Sequence, residues 1–141
     1  MKTKFLLFLI IILTSYGLSA QSRSDDSLAT IKTALNYIQG YYTNDASRME
    51  QALHPELAKR MIDKNDRGED QFHQMSALTL INGTKYHPPI PVANQKADVY
   101  VTDIFKDAAM VKIITNGWID FLQLHRWRGN WVIVNVLWEK K

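Results

Sequence analysis

A chain of 141 residues with 17 basic and 14 acidic side chains, 46% hydrophobic residues and no cysteine has the size and composition of one modest globular domain. The missing cysteine excludes a disulfide scaffold, a zinc ribbon, a thiol catalyst and a cysteine-anchored lipoprotein. The formal charge of +3 falls to +1 once Lys2 and Lys4 are set aside, too little for sequence-independent nucleic-acid binding, which rests on many phosphate contacts.

Those two lysines precede an apolar run from Phe5 to Leu13, and the small residues Gly17, Ser19 and Ala20 lead into the polar stretch from Gln21 to Asp26. This is the layout of a secretory signal peptide. It predicts a leader over residues 1–20 and one domain over 21–141, exported to the periplasm or secreted. Cleavage is placed after Ala20, with the bond after Ser19 as the alternative because Leu18 is not ideal three positions earlier. An uncleaved anchor is the competing reading. The apolar run is shorter than the roughly 20 residues that span a bilayer and none of that length follows, so no membrane span is expected.

Ser24, Asp25 and Asp26 offer helix caps, and Leu28, Ile31, Leu35, Ile38 and Tyr42 then recur at three- and four-residue steps, the stripe of an amphipathic helix. At about 100° per residue Tyr41 falls on the edge of that stripe and Tyr37 points away from it, so only Tyr41 and Tyr42 are expected near a buried pocket. Thr43, Asn44 and Asp45 give a turn and a cap for a second helix carrying Ala46, Met49, Ala52 and Leu53, ended by His54 and Pro55. Pro55 suits the first turn of a short helix through Leu57 and Met61. A polar connector from Asp63 to Asp70 precedes a third full helix with Phe72, Met75 and Leu78, stopped by Asn82 and Gly83. Thr84 to Asn94, with three prolines, reads as an irregular loop.

From Ala97 the period changes to that of strands, in four β-rich runs: Val99 to Phe105, Val111 to Thr115, Trp118 to Trp127 and Trp131 to Trp138. Asn116-Gly117 fits a type I′ hairpin turn and Arg128-Gly129-Asn130 a three-residue loop, so the runs form an antiparallel meander. The turns fix the register: Ile113 opposes Asp120, and Trp127 opposes Trp131. Alternation then sends Ile104, Val111, Ile113, Leu122, Leu124, Val132, Val134 and Val136 to one face, with Tyr100, Thr115, Trp118, Asp120 and Trp138 at its Asn116-Gly117 end. The other face collects Phe105, Met110, Ile114, Phe121, Trp127, Trp131 and Ile133 among Asp103, Lys112, Gln123, His125 and Asn135, a mixture suited to a protein interface. Helices cover the more aliphatic face, because it has fewer polar groups to satisfy. Tyr41, Tyr100, Trp118, Asp120 and Trp138 would then line a mouth able to hold a flat ligand by stacking and one hydrogen bond. The competing reading is that these aromatics close the core and Asp120 pairs with a neighbour such as Arg126.

The order of elements carries a resemblance, together with Tyr37-Ile38-Gln39-Gly40 before Asn44-Asp45, the phrase Ala52-Leu53-His54-Pro55-Glu56, and Asp120-Phe121-Leu122-Gln123-Leu124 before Gly129-Asn130-Trp131-Val132-Ile133-Val134-Asn135. Over roughly residues 25 to 138 the chain resembles the putative lumazine-binding family of the nuclear-transport-factor-2-like, or SnoaL-like, superfamily. The resemblance implies an α+β cone, with N-terminal helices on a curved antiparallel sheet of four or more strands as in cystatin-like folds, and a pocket between sheet and helices. It also implies a homodimer formed through the sheet, for which Phe121, Gln123, His125, Trp127 and Trp131 are the candidate interface residues. Ketosteroid isomerases and polyketide cyclases share the cone and use a carboxylate base beside a carbonyl-polarising group. Here Lys59, Arg60 and Met61 occupy the segment where an isomerase base would stand, with only Asp63 close, and Asp103 or Asp120 lacks an identified partner.

The remaining motifs carry no function. His54, His73, His87 and His125 show no short metal-ligand spacing, and there is no nucleophile elbow or phosphate loop, so neither a metal nor a cofactor is expected and no catalytic residue is assigned. Arg126, Arg128, Lys140 and Lys141 near tryptophans read as solvated strand ends, and Asn82-Gly83-Thr84 as a chance glycosylation pattern. The reading favours an exported homodimer that binds a small apolar or aromatic molecule without transforming it. The alternatives are a SnoaL-like enzyme acting on a carbonyl compound and a partner-binding module whose cone is filled.

Overall fold

The computed structural model describes residues 23–141; the leader and cleavage bond expected from the sequence lie outside them. Three helices pack on one curved, open, six-stranded mixed sheet. Helix α1 runs over 23–42, α2 over Ala46–Ala52 and α3 over Ala77–Tyr86, and the strands are β1 (Leu53–Lys64), β2 (Asp70–Ser76), β3 (Asp98–Phe105), β4 (Ala108–Ile114), β5 (Trp118–Trp127) and β6 (Asn130–Lys140). The sheet order is β2-β1-β6-β5-β4-β3, antiparallel throughout except for β1 beside β6. No helix among the described residues is long and apolar enough to cross a membrane.

The buried face of α1 is rotated from the expected stripe, keeping Ile38 and Tyr42 of it inside while Ile31 and Leu35 are only partly buried. Thr30, Thr33, Ala34, Tyr37, Ile38 and Tyr42 are buried, whereas Leu28 is 64% exposed. The threonines can go inward because their hydroxyls find carbonyls: Thr30 donates to Ser27 O at 2.9 Å, and Thr33 to Trp131 O on the sheet at 3.0 Å. Turning the helix to that face brings Tyr37 in. Gly40 lets α2 approach, since a Cβ there would lie 2.9 Å from the backbone nitrogen of Met49. Asp45 caps α2 as expected, accepting from Arg48 N.

Residues 53–76 depart most from expectation. The short helix after Pro55 is instead β1, which pairs antiparallel with β2 and parallel with β6. Leu57 and Met61 stand four apart, a spacing that serves a strand as well as a helix. The intervening inward position is Lys59, so the charge broke the apolar alternation on which a strand is recognised. Pro55 falls in the irregular stretch between Leu53 and Ala58, where β1 does not keep register with β6 and no ladder bond is lost. Phe72 and Met75 lie on β2, and the third helix begins only at Ala77, where Ser76 caps it by accepting from Thr79 N. That helix continues through Asn82 and Gly83 because Thr84 is buried and bonds back to Leu80 O at 2.9 Å.

The meander is present, but the β4–β5 and β5–β6 turns differ from expectation. Asn116-Gly117 closes the expected two-residue loop, with Thr115 N donating to Trp118 O at 3.0 Å and Ile113 opposite Asp120, yet neither residue takes positive φ. The left-handed pair is Arg128 and Gly129, at φ 51° and 80°, so that loop has two residues and Trp127 faces Asn130. A bulge then inserts Val134 between the pairs Leu124↔Ile133 and Gln123↔Asn135. Between turn and bulge the faces are therefore inverted: Trp131 (5% exposed) and Ile133 (0%) join the core, and Trp131 leaves the expected interface set. A second irregularity at Thr102 puts Tyr100 opposite Lys112 on the outer face, while Val99 and Val101 pair with the buried Ile113 and Val111.

Candidate functional site

The site is built around Asp120, an inward residue near the start of β5 and fully buried. Lys59 reaches it from β1, its Nζ 2.8 Å from Oδ1. Trp118, two residues earlier on the same face of β5, donates its indole N–H to Oδ2 at 2.8 Å, and the Tyr37 hydroxyl from α1 donates to the same oxygen at 3.4 Å. Lys59 Nζ also donates to Tyr37 Oη at 2.6 Å and lies 4.8 Å from the ring centroid of Trp138, the residue paired with Asp120 across β5 and β6. Removing both charges from water costs several kcal/mol per ion, offset only when the remaining donors and acceptors are satisfied. Three donors on the carboxylate, and a hydroxyl and two aromatic faces around the ammonium, supply that compensation.

Burial, with the Asp120 charge second, raises the Tyr37 phenol well above its ordinary value of 10, so it stays a neutral hydroxyl. The same two causes push Tyr42 up to about 12, and its hydroxyl donates to Lys96 O at 2.5 Å. At the rim, hydrogen bonds from Lys140 and then His73 hold the Asp63 carboxyl below its ordinary value. His87 packs its ring 4.3 Å from that of Tyr41, with Nε2 2.8 Å from Tyr41 O.

Above the ion pair lies a cavity of about 370 Å³, walled by Tyr37, Ile38, Tyr41, Met49, Met75, Leu80, Trp118 and Trp138, with Lys59 and Lys140 as its charged members. That volume is within the range of small-molecule pockets, roughly 300–1,000 Å³, and the walls are mostly apolar or aromatic. The indole nitrogen of Trp138 is buried without a hydrogen-bond partner among the described residues, an arrangement that costs about 1–3 kcal/mol. A wider depression of about 570 Å³ at the other end of α1, edged by Lys32, Glu50 and the β5–β6 turn, has paired charges: Arg126 bonds Asp26 and Asp107, and Arg128 lies over the Trp127 ring.

Of the five residues expected at the mouth, Tyr41, Trp118 and Trp138 line the cavity, and Asp120 lies behind its wall, bonded to Trp118. Tyr100 lies on the outer face, 52% exposed, because of the irregularity at Thr102. Asp120 pairs with Lys59 and not with Arg126, which is engaged near the other end of the sheet. Tyr37 and Lys59 are the residues that sequence reasoning missed. The signal for Lys59 was its place between Leu57 and Met61 at strand period; for Tyr37 it was its three-residue step from Ala34. On the outer face Phe121, Gln123, His125 and Trp127 are exposed as expected of interface candidates, and Asp103 is there too, opposite Met110 and away from the cavity.

The sequence matches the family described as putative lumazine-binding over residues 25–139. No curated protein matches it in sequence. Among solved structures it is similar to a nuclear-transport-factor-2-like protein of unknown function from Shewanella baltica OS155, at a TM-score of 0.66 and 15% identity over 84% of this chain and 95% of that one. A second, from Silicibacter pomeroyi DSS-3, gives 0.64 and 17% over 84% and 98%. A cystatin-like fold protein from Burkholderia xenovorans LB400 gives 0.56 and 16% over 82% and 92%. At these identities the likeness establishes the fold alone.

Proposed function

The chain belongs to the putative lumazine-binding family, of nuclear-transport-factor-2-like fold, and on that premise we propose that it is an exported protein that holds a small apolar or aromatic molecule in the cavity between α1 and the sheet without transforming it. The observation that carries this reading is the aromatic-walled void resting on the buried Lys59–Asp120 ion pair. A void of this size between Tyr41, Trp118 and Trp138 favours a ligand over a cone filled by its own side chains. The binding reading is favoured over catalysis because Asp120 is fully buried behind the cavity wall and held there by Lys59, Tyr37 and Trp118, out of reach of a substrate proton in the cavity. Export rests on the charged, apolar and small-residue order of positions 1–20. Assembly into a homodimer rests on the outer face, where Phe121, Trp127, Met110 and Leu137 leave large apolar side chains exposed among Gln123 and His125.

Native mass spectrometry of the chain from Gln21 tests the proposal directly. A dimer carrying a small additional mass on each subunit is the expected species, and a bare monomer that takes up no aromatic compound would overturn it. Replacing Asp120 or Asp103 with Asn tests the enzyme reading: loss of turnover of a carbonyl substrate in either variant would establish chemistry that this account excludes.

A further inference from the structure

The cavity wall is electrically one-sided. Among the described residues its charged members are Lys59 and Lys140, and no acid lines it. Asp120, which balances Lys59, is fully buried behind the wall, and Asp63, which balances Lys140 at 2.8 Å, is not part of the lining. An occupant therefore meets cations at the surface and the matching anions only at one remove. Lys59 Nζ has three N–H donors and places two, on Tyr37 Oη and Asp120 Oδ1; among the described residues the third has no acceptor. The neighbouring Trp138 also holds a buried indole N–H that has no partner among the described residues. Donors are thus in surplus where acceptors are absent, and the deficit lies next to the space a ligand would fill.

We propose that the ligand is an organic acid: a flat apolar or aromatic body between Tyr41, Trp118 and Trp138, bearing a carboxylate that accepts from Lys59 and lies within the field of Lys140. This deepens the binding reading and rests on it. A carboxylate, as an ionised acceptor, gains more from an ammonium donor than a neutral oxygen does, and more still where aromatic walls exclude water. A neutral ligand of the same shape would keep the stacking and lose the charge-assisted bond. A phosphate monoester fits less well, since it presents more acceptor oxygens and charge than these donors satisfy.

The test is calorimetric titration of the chain from Gln21 with 2-naphthoate and with 2-naphthylmethanol, which share a ring system and differ in charge. Naphthoate is expected to bind at least tenfold more tightly. Lys140→Gln, a change at an exposed rim position, should weaken naphthoate several-fold and naphthylmethanol far less. Lys59→Met combined with Asp120→Leu removes both buried charges together and should abolish the preference for the acid while naphthylmethanol still binds. Equal affinity for the two probes, or a preference that survives the double variant, would overturn the acid assignment and leave the binding reading standing. Binding of neither probe would overturn both.

Discussion

The two faces of β5 differ sharply over the same stretch of chain. Inward, Asp120, Leu122 and Leu124 are at most 2% exposed; outward, Phe121, Gln123 and His125 face solvent. The inner face buries a charge among aliphatic neighbours, and the outer face leaves large apolar groups uncovered. Each face thus departs from the usual partition of polar and apolar residues, and each departure is the informative one for its side. The buried carboxylate with its three hydrogen-bond donors underlies the proposed binding site, and the exposed aromatic surface underlies the proposed dimer.

The largest effect that would break this contrast comes from the tryptophans of the β5–β6 hairpin. Trp131→Glu places a carboxylate in the core and should prevent folding, whereas Trp127→Glu should leave the fold intact and convert dimer to monomer in sedimentation. Equal behaviour of the two variants would mean that the faces are wrongly divided. Next, Lys59→Met strands Asp120 without its cation and should cost about 3–5 kcal/mol in urea unfolding. Adding Asp120→Leu should recover most of that loss, because the penalty belongs to the unpaired charge. Tyr37→Phe removes an acceptor from Lys59 and a donor to Asp120 and should cost about 1–3 kcal/mol. The smallest effect is alkaline. The Tyr42 pKa is raised to about 12 from 10, so the stability it contributes is complete below pH 10 and is lost as pH rises from 10 to 12, with Tyr37 acting in the same direction. Phenolate absorbance followed with unfolding midpoint should show both tyrosines ionising late.

Much of the site was legible because two deviations from the expected hairpin cancel. The β5–β6 loop is one residue shorter than its Arg-Gly-Asn sequence suggested, and the bulge at Val134 restores the register, so Asp120 meets Trp138 as alternation required. Between those two points the faces invert, so Trp131 and Ile133 point inward where plain alternation sends them outward. A bulge adds a residue without changing composition, and nothing at Thr102 or Val134 announces one. The strands β1 and β2 were hidden for another reason. Lys59 fills an inward position that an ordinary strand gives to an aliphatic residue, and Phe72, Met75 and Leu78 keep a helical spacing across a strand-to-helix junction. The residue that concealed the strand is the one that completes the site, as expected where function overrides pattern.

The claim that the cavity end of the sheet is the binding end can be tested on the four tryptophans themselves, which divide between Trp118 and Trp138 at the cavity and Trp127 and Trp131 near the far turn. Indole N–H resonances of the ¹⁵N-labelled chain from Gln21, followed during titration with 2-naphthoate, report both ends at once. The account predicts that the Trp118 and Trp138 signals move together and saturate while Trp127 and Trp131 stay in place. Movement confined to Trp127 or Trp131 would contradict it and place the ligand at the opposite end of α1.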